Sequence, residues 1–211
     1  MTRPTLYVLA GVNGSGKSSL GGAAIRQRGI AYYNPDTAAR KLIRQHPTMT
    51  QAMANGHAWT LGKELLEKAI ASKQTYAFET TLGGNTITRL LIEAARAGIL
   101  VKIWYAGLKS VELNLARVKA RVDRGGHDIP EADIRNRWDS SRRNLIKLLP
   151  HLDSLRLYDN SVEADPAKGA CPKPELLLHA ANKDIVWLSP REAPEWAKPI
   201  IAGAIHIYGQ R

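Results

Sequence analysis

A glycine-rich stretch near the amino terminus constrains the fold of this chain more than any other feature. Residues 11–18 read Gly-Val-Asn-Gly-Ser-Gly-Lys-Ser and follow an apolar run at residues 5–10. The residues after the stretch have the pattern of a helix, so the order is strand, glycine loop, helix. This order, with Lys17 and Ser18 closing the loop, is typical of a phosphate-binding loop. We therefore expect nucleotide binding; the alternative is a glycine-rich turn followed by an accidental Lys-Ser.

Each position of this loop has a mechanical reason. Glycines allow backbone N–H groups to turn inward and surround an anion. Lys17 would reach the outer phosphates, and the Ser18 hydroxyl would ligate Mg²⁺. The residues expected to contact the nucleotide are Gly11, Asn13, Gly14, Ser15, Gly16, Lys17, Ser18 and Ser19.

The length of the chain favours one domain spanning residues 1–211, since 211 residues suit one well-buried core and are few for two. No apolar run reaches the ~18 residues needed to cross a bilayer, so no membrane partner is expected. The first five residues, Met-Thr-Arg-Pro-Thr, do not begin a secretory signal, and the single cysteine, Cys171, cannot form an internal disulfide. These features favour a cytoplasmic protein.

Apolar runs alternate with stretches of helical period, which is typical of βαβ units. The expected fold class is α/β, a P-loop NTPase three-layer sandwich with a mainly parallel sheet. The expected strands lie at residues 5–10, 30–34, 75–79, 100–106, 154–158, 175–180 and 185–188. The expected helices lie at residues 17–27, 37–44, 57–72, 84–97, 110–123, 130–148 and 192–208. Residues 109–148 are expected to form a helical lid, because Gly125 and Gly126 mark a sharp turn between two basic helices.

The formal net charge is +11, and the basic excess lies mainly at residues 1–50 and 102–147. Such a field attracts polyanions, either nucleic acid or a nucleoside triphosphate with a second phosphorylated ligand. The aromatic residues are not interleaved with the basic ones as in a platform for stacked bases. Nucleic acid is therefore the less favoured partner, although a polynucleotide-kinase-like enzyme stays open. A nucleotide-binding scaffold without turnover is a third alternative.

Other motifs discriminate between classes of nucleotide chemistry. A GTPase needs Asn-Lys-x-Asp, and residues 182–185, Asn-Lys-Asp-Ile, lack the acid at the required position. A motor ATPase would usually show an apolar run closing in paired acids, whereas residues 76–79 end in Glu79 alone. Small-molecule phosphoryl transfer fits better, since it needs a carboxylate near the acceptor hydroxyl and arginines near the transferred group. The donor is expected to be ATP or GTP.

Asp36 is the candidate carboxylate. It follows the second expected strand and opens a helix, so it should face the phosphates across the crevice at the carboxyl ends of the strands. In that place it could orient the acceptor hydroxyl and accept its proton. The alternative is a purely structural helix N-cap, because Asp is one of the preferred residues there.

A second polar group follows the third strand. Glu79 is placed to contact a water on Mg²⁺ or a substrate hydroxyl, and Thr80 and Thr81 offer neutral hydrogen-bond donors. All three are candidate substrate-binding residues. The alternative for Glu79 is a buried carboxylate that caps the next helix.

Arginines in the expected lid complete the site. Arg117, Arg121 and Arg124 recur at spacings of four and three, so they share one helix face that leads to the Gly-Gly turn. Arg121 and Arg124 are the first choices to contact the transferred phosphoryl group. The alternative is a solvated helix face. The six histidines are scattered and have no metal-binding spacing.

Together these motifs resemble the zeta-toxin family of P-loop kinases. The resemblance rests on the glycine loop, Asn-Pro-Asp-Thr at 34–37, Phe-Glu-Thr-Thr at 78–81, Arg-Gly-Gly-His-Asp-Ile-Pro at 124–130 and Leu-Tyr-Asp-Asn-Ser at 157–161. It implies a kinase that uses ATP and Mg²⁺ to phosphorylate a sugar hydroxyl of UDP-N-acetylglucosamine or a related UDP-sugar. It also makes an antitoxin protein a candidate partner.

By this likeness the site residues take individual roles. Lys17 and Ser18 serve the donor phosphates and Mg²⁺, and Asp36 is the base for the sugar hydroxyl. Glu79 and Thr81 contact the substrate. Arg121 and Arg124 stabilise the transferred phosphoryl group. Another small hydroxyl compound stays open as the acceptor.

Overall fold

A computed structural model describes residues 3–18, 20–21, 25, 29–126, 128–162 and 173–209. Seven strands form one sheet in the order β2-β3-β1-β4-β5-β6-β7. The strands are β1 (Thr5–Ala10), β2 (Tyr32–Tyr33), β3 (Tyr76–Thr80), β4 (Leu100–Gly107), β5 (Ser154–Asp159), β6 (Glu175–Ala181) and β7 (Asp184–Leu188). The pairs from β2 to β5 are parallel, whereas β6 runs antiparallel to both β5 and β7. The expected α/β class with a mainly parallel sheet is confirmed.

Six full helices connect or cover these strands. They are α1 (Pro35–Gln45), α2 (Gln51–Ala71), α3 (Asn85–Arg96), α4 (Val111–Val122), α5 (Glu131–Leu148) and α6 (Lys198–Tyr208), and a short 3-10 helix spans Leu149–His151. Lys17 and Ser18 at the end of the glycine loop are also helical, as are the described residues 20, 21 and 25 after it. Ser19, one of the predicted nucleotide contacts, lies outside the described residues, as does Cys171.

Most predicted elements agree with the structure to within a few residues, and three differ. Strand β2 has two residues instead of the predicted five. Helix α2 begins at Gln51, six residues before the predicted start, where the Thr50 hydroxyl accepts the Met53 N–H at 3.3 Å. Helix α6 begins at Lys198 and not at residue 192, because a proline is tolerated in the first turn of a helix and not in its interior.

The core lies on both faces of the sheet. Four of the six residues of β1 are completely buried, as expected for a central strand with helices on either side. Residues from α3, α5 and α6 join the large cluster on one face. On the other face Leu9, Ile25 and Ala77 form a second cluster, so the helix after the glycine loop covers that side. No described helix has the length and apolar character needed to cross a membrane.

Parallel strands bring their following loops to one edge of the sheet. The glycine loop after β1, the turn before α1 and the loop after β3 therefore meet at this edge. Above them α4 and α5 form the expected helical hairpin, which packs through its own small cluster of Val118, Ile129 and Ile134. The carboxyl edge of the sheet and this hairpin together define the candidate site.

Candidate active site

The glycine loop has the backbone conformation of an anion-binding nest. Gly11, Gly14 and Gly16 have φ angles of +135°, +74° and +79°, a region that is strained for other residues. A β-carbon on Gly11 would also overlap the carbonyl oxygen of Ala106 on β4. These glycines therefore cannot be replaced without moving the loop.

Ser18 and Glu79 form an oxygen-rich pair beside the loop. The Ser18 hydroxyl donates to Glu79 Oε2 at 2.9 Å, and the Tyr32 hydroxyl donates to Glu79 Oε1. A hydroxyl and a carboxylate are hard oxygen ligands of the kind that Mg²⁺ prefers. The residues present therefore fit Mg²⁺.

Glu79 does not cap a helix. The N-cap of α3 is Gly84, and no described side chain bonds to its first N–H groups. The carboxylate is instead 5% exposed and turned toward Ser18. The structural alternative for Glu79 is therefore wrong.

Burial and four charged side chains act on the pKa of Lys17. Burial lowers the pKa of its ammonium group. The carboxylates of Asp36 and Glu79 act in the opposite direction, whereas the guanidinium groups of Arg121 and Arg137 lower the pKa further. All four are therefore close enough to Lys17 to influence its charge. Such a mixture of charges suits a site where phosphate oxygens are handled.

Asp36 is not the N-cap of α1 either. Asn34 holds that place, since its Oδ1 accepts the Thr37 N–H at 2.9 Å. The Asp36 side chain is instead 45% exposed and turned toward the lid, where its Oδ2 lies 3.7 Å from Arg121 Nη1. The carboxylate thus lies where it could contact an acceptor hydroxyl.

The lid arginines divide into two groups. Arg121 points toward the site, where it contacts the carboxylate of Asp36. Arg124 is exposed and lies beyond the end of α4, and its Nε donates back to Ala120 O at 2.9 Å. Arg117 reaches Val162 O at 3.4 Å. The structure therefore brings Arg121 to the phosphate end and leaves Arg124 on the outside.

Arg137 is a candidate site residue that sequence reasoning missed. Its Nη1 donates to Asn13 Oδ1 on the glycine loop at 3.2 Å, and its Nη2 lies 3.3 Å from Asp133 Oδ2. A signal was present in the sequence, because Arg137 stands three residues after Ile134 and four before Ser141, both buried. That spacing turns Arg137 toward the inner face of α5.

A cavity of about 640 Å³ opens beside these groups. Its polar lining includes Asn13, Asp36, Glu79, Thr80, Thr81, Asp128, Asp133 and Arg137, and its aromatic lining includes Tyr33, Trp59 and Phe78. The Thr80 and Thr81 hydroxyls accept hydrogen bonds from N–H groups of the following loop at 3.0 and 3.3 Å. These hydrogen bonds fix the orientation of both side chains. This volume is in the usual range for small-molecule sites.

Solved structures share this fold. A chain of the AvrRxo1-ORF1:-ORF2 complex with ATP superposes on 96% of this chain with a TM-score of 0.66 at 16% identity. The present chain spans 64% of that chain's length. The PezAT chromosomal toxin-antitoxin system of Streptococcus pneumoniae gives a TM-score of 0.58 at 13% identity, covering 100% of this chain and 80% of the other. At these identities the likeness establishes the fold.

Sequence comparison gives the family. An uncharacterized protein of Haemophilus influenzae (strain ATCC 51907) is 34% identical over 146 residues, which are 65% of this chain and 100% of that protein. The zeta-toxin family model matches residues 1–164, which include the glycine loop, Asp36, Glu79 and both lid helices. The chain therefore belongs to the zeta-toxin family of P-loop kinases.

Proposed function

We propose that this protein transfers the γ-phosphoryl group of ATP to a hydroxyl of a UDP-sugar such as UDP-N-acetylglucosamine, with Mg²⁺ as cofactor. The observation that carries the proposal is the position of Asp36, between the phosphate loop and a cavity large enough for a small molecule. ATP as donor is supported by the AvrRxo1 complex, which was solved with ATP. An antitoxin-type partner is also part of the proposal, supported by the toxin-antitoxin system of PezAT.

The glycine loop forms the donor half of the proposed site. Backbone N–H groups of the loop and the Lys17 ammonium hold the donor phosphates, and Ser18 holds Mg²⁺, with Glu79 beside it. When bound, Mg²⁺ neutralises negative charge on the phosphate oxygens. The side chains of the donor half are those of the loop itself, Lys17 and Ser18, and that of Glu79, which accepts the hydrogen bond of Ser18.

The cavity forms the acceptor half. Asp36 orients the sugar hydroxyl and accepts its proton while the acceptor oxygen bonds to the γ-phosphorus and the bond from this phosphorus to the bridging oxygen breaks, releasing ADP. Arg121 and Arg137 meet the charge that spreads over the transferred group. Arg137 already bonds to Asn13 of the glycine loop, and Arg121 lies 3.7 Å from Asp36.

A turnover assay tests the proposal directly. We expect the purified protein, given ATP, Mg²⁺ and a panel of UDP-sugars, to produce a phosphorylated UDP-sugar that mass spectrometry detects. The Lys17→Ala variant should give no product, which excludes a contaminating kinase. Phosphorylation of another small hydroxyl compound alone would overturn the UDP-sugar assignment and keep the kinase. Consumption of no acceptor would overturn both.

Trp59 is expected to contact the base of the acceptor. Its indole lines the cavity and is 50% exposed, and open space lies beside Gly56, one turn earlier on α2. Stacking of a base on an aromatic ring contributes about 1–3 kcal/mol. Trp59→Ala should therefore raise KM for the UDP-sugar about tenfold while KM for ATP stays the same.

The matched control for this prediction is Trp187→Ala. Trp187 is 41% exposed but lies on β7, at the far edge of the sheet. Its variant should keep both KM values. An unchanged acceptor KM in Trp59→Ala would remove the stacking contact from the proposal.

A further inference from the structure

Two side-chain amides hold the outer surface of the glycine loop. Asn114 Nδ2 donates to Asn13 O, and Asn160 Nδ2 donates to Ser15 O at 2.9 Å. Neither amide belongs to the loop, since Asn114 lies on α4 and Asn160 follows β5. Both therefore contact the loop from other parts of the fold.

The planarity of the peptide bond connects these contacts to the phosphate site. In a trans peptide the carbonyl of one residue points opposite to the N–H of the next. Holding Asn13 O therefore sets the direction of the Gly14 N–H, and holding Ser15 O sets that of the Gly16 N–H. These two glycines have positive φ values in the nest. The amides thus fix the N–H groups that would face the phosphates.

The backbone of each of these residues is firmly placed. Asn114 is completely buried, one turn after the Ser110 hydroxyl caps α4 by accepting the Leu113 N–H at 3.2 Å. The backbone N–H of Asn160 donates to Gly107 O at 3.0 Å at the end of the sheet. A β-carbon on Gly16 would overlap the Asn160 amide, so the loop and the amide are in close contact.

We infer that Asn114 and Asn160 are positioning residues for the nucleotide, acting on its phosphates only through the backbone of the glycine loop. The inference rests on the proposed function to the extent that a nucleoside triphosphate occupies the loop. It does not depend on which acceptor is used. Without the amides, the two carbonyls would lose their donors and the nest would no longer be held open in one conformation.

The contact from Asn114 also attaches the lid to the loop. Asn114 and Arg121 are seven residues apart on α4, so two helical turns place them on the same side. The bond to Asn13 O therefore fixes the position of α4, and with it the backbone of Arg121, relative to the glycine loop. Any lid motion must then occur beyond Asn114, toward the Gly125–Gly126 turn. Loss of Asn114 should disturb both nucleotide binding and the transfer step, whereas loss of Asn160 should disturb binding alone.

Nucleotide titration of alanine variants tests the inference. We expect Asn114→Ala and Asn160→Ala to raise Kd for ATP about tenfold, the size expected when a buried carbonyl loses its donor. The matched control is Asn144→Ala. Asn144 is 3% exposed and its amide also donates to backbone carbonyls, those of Leu82 and Gly84, on the acceptor side. This variant should lose thermal stability but keep the Kd for ATP.

Glycine-selective ¹⁵N labelling makes it possible to follow individual amide resonances, whose response to ATP a general loss of stability would not change selectively. ATP should shift the amide resonances of Gly14 and Gly16 in the wild-type protein. We expect the Gly14 response to be lost in Asn114→Ala and the Gly16 response in Asn160→Ala, each with the other response retained. If Asn114→Ala does not fold, the Asn160→Ala variant alone tests the inference, since Asn160 is partly exposed.

The outcomes separate this inference from the proposed function. Wild-type ATP affinity in both variants would overturn the inference and leave the kinase proposal intact. Weakened ATP binding, in a protein that phosphorylates no acceptor, would support the inference and overturn the kinase proposal. A wild-type protein that binds no nucleoside triphosphate would overturn both.

Discussion

Replacing Arg137 with alanine is expected to lower kcat for acceptor phosphorylation by about 10³-fold or more, as expected for an arginine that stabilises a transferred phosphoryl group. Arg121→Ala should have an effect of similar size. The reason is geometric: Arg137 lines the cavity and bonds to Asn13 of the glycine loop, and Arg121 Nη1 lies 3.7 Å from Asp36 Oδ2. A charge at that place acts on the transition state in a partly water-excluded site, where electrostatic contacts are strongest.

Arg124→Ala is the matched control, because it removes the same charge from the turn that follows α4. Arg124 is exposed and bonds to Ala120 O, so kcat should stay within about twofold of the wild-type value, as for surface substitutions in general. Steady-state kinetics with ATP and the acceptor varied separately measure the three variants. A large loss in Arg124→Ala with a small one in Arg137→Ala would mean that the working lid has a different arrangement of arginines.

Local sequence patterns were sufficient for most of the fold. Strand β1 was predicted with its observed bounds, because a fully apolar run before a glycine loop has few other solutions. The helical hairpin of α4 and α5 was predicted from its Gly-Gly turn. The carboxyl-edge position of Asp36 followed from the parallel sheet. Each of these predictions depends on residues close together in the chain.

Details of the candidate site depended on packing between distant segments. The spacing of Arg121 and Arg124 suggested a shared helix face, but the two side chains diverge because Arg124 turns back to Ala120 O at the end of α4. Arg137 reaches the loop only because α5 packs on α4 through Ile129 and Ile134. The spacing within α5 indicates only that Arg137 faces inward, and not that it reaches the glycine loop.

The contacts from the Asn114 and Asn160 amides to the glycine loop were even less predictable from local sequence patterns. Asn114 is 101 residues from its partner Asn13, and Asn160 is 145 residues from Ser15. An asparagine in a helix and another after a strand have no pattern that links them to a glycine loop. Only the sheet order, which brings the ends of β4 and β5 beside β1, places them there.

Asp36→Asn is expected to lower turnover by at least 100-fold while ATP still binds, since a positioned acid–base group contributes about 10²–10⁴-fold. The amide keeps the size of the side chain but cannot accept the proton of the acceptor hydroxyl. It also removes a negative charge near Lys17, so ATP affinity should stay unchanged or rise slightly. The structure of α1 should persist, because Asn34 provides the N-cap.

Single-turnover kinetics measure the effect of Asp36→Asn on the transfer step, and ATP titration measures its effect on ATP binding. Asp123→Asn is the charge-matched control, since Asp123 is exposed at the end of α4 and absent from the described cavity lining. It should leave turnover and ATP affinity unchanged. If Asp36→Asn kept wild-type turnover, proton acceptance would have to pass to Glu79 or Asp133, the other cavity carboxylates that contact groups of the site. Glu79 is turned toward Ser18 and Asp133 toward Arg137, so Asp36 is the carboxylate with the clearest access to an acceptor hydroxyl.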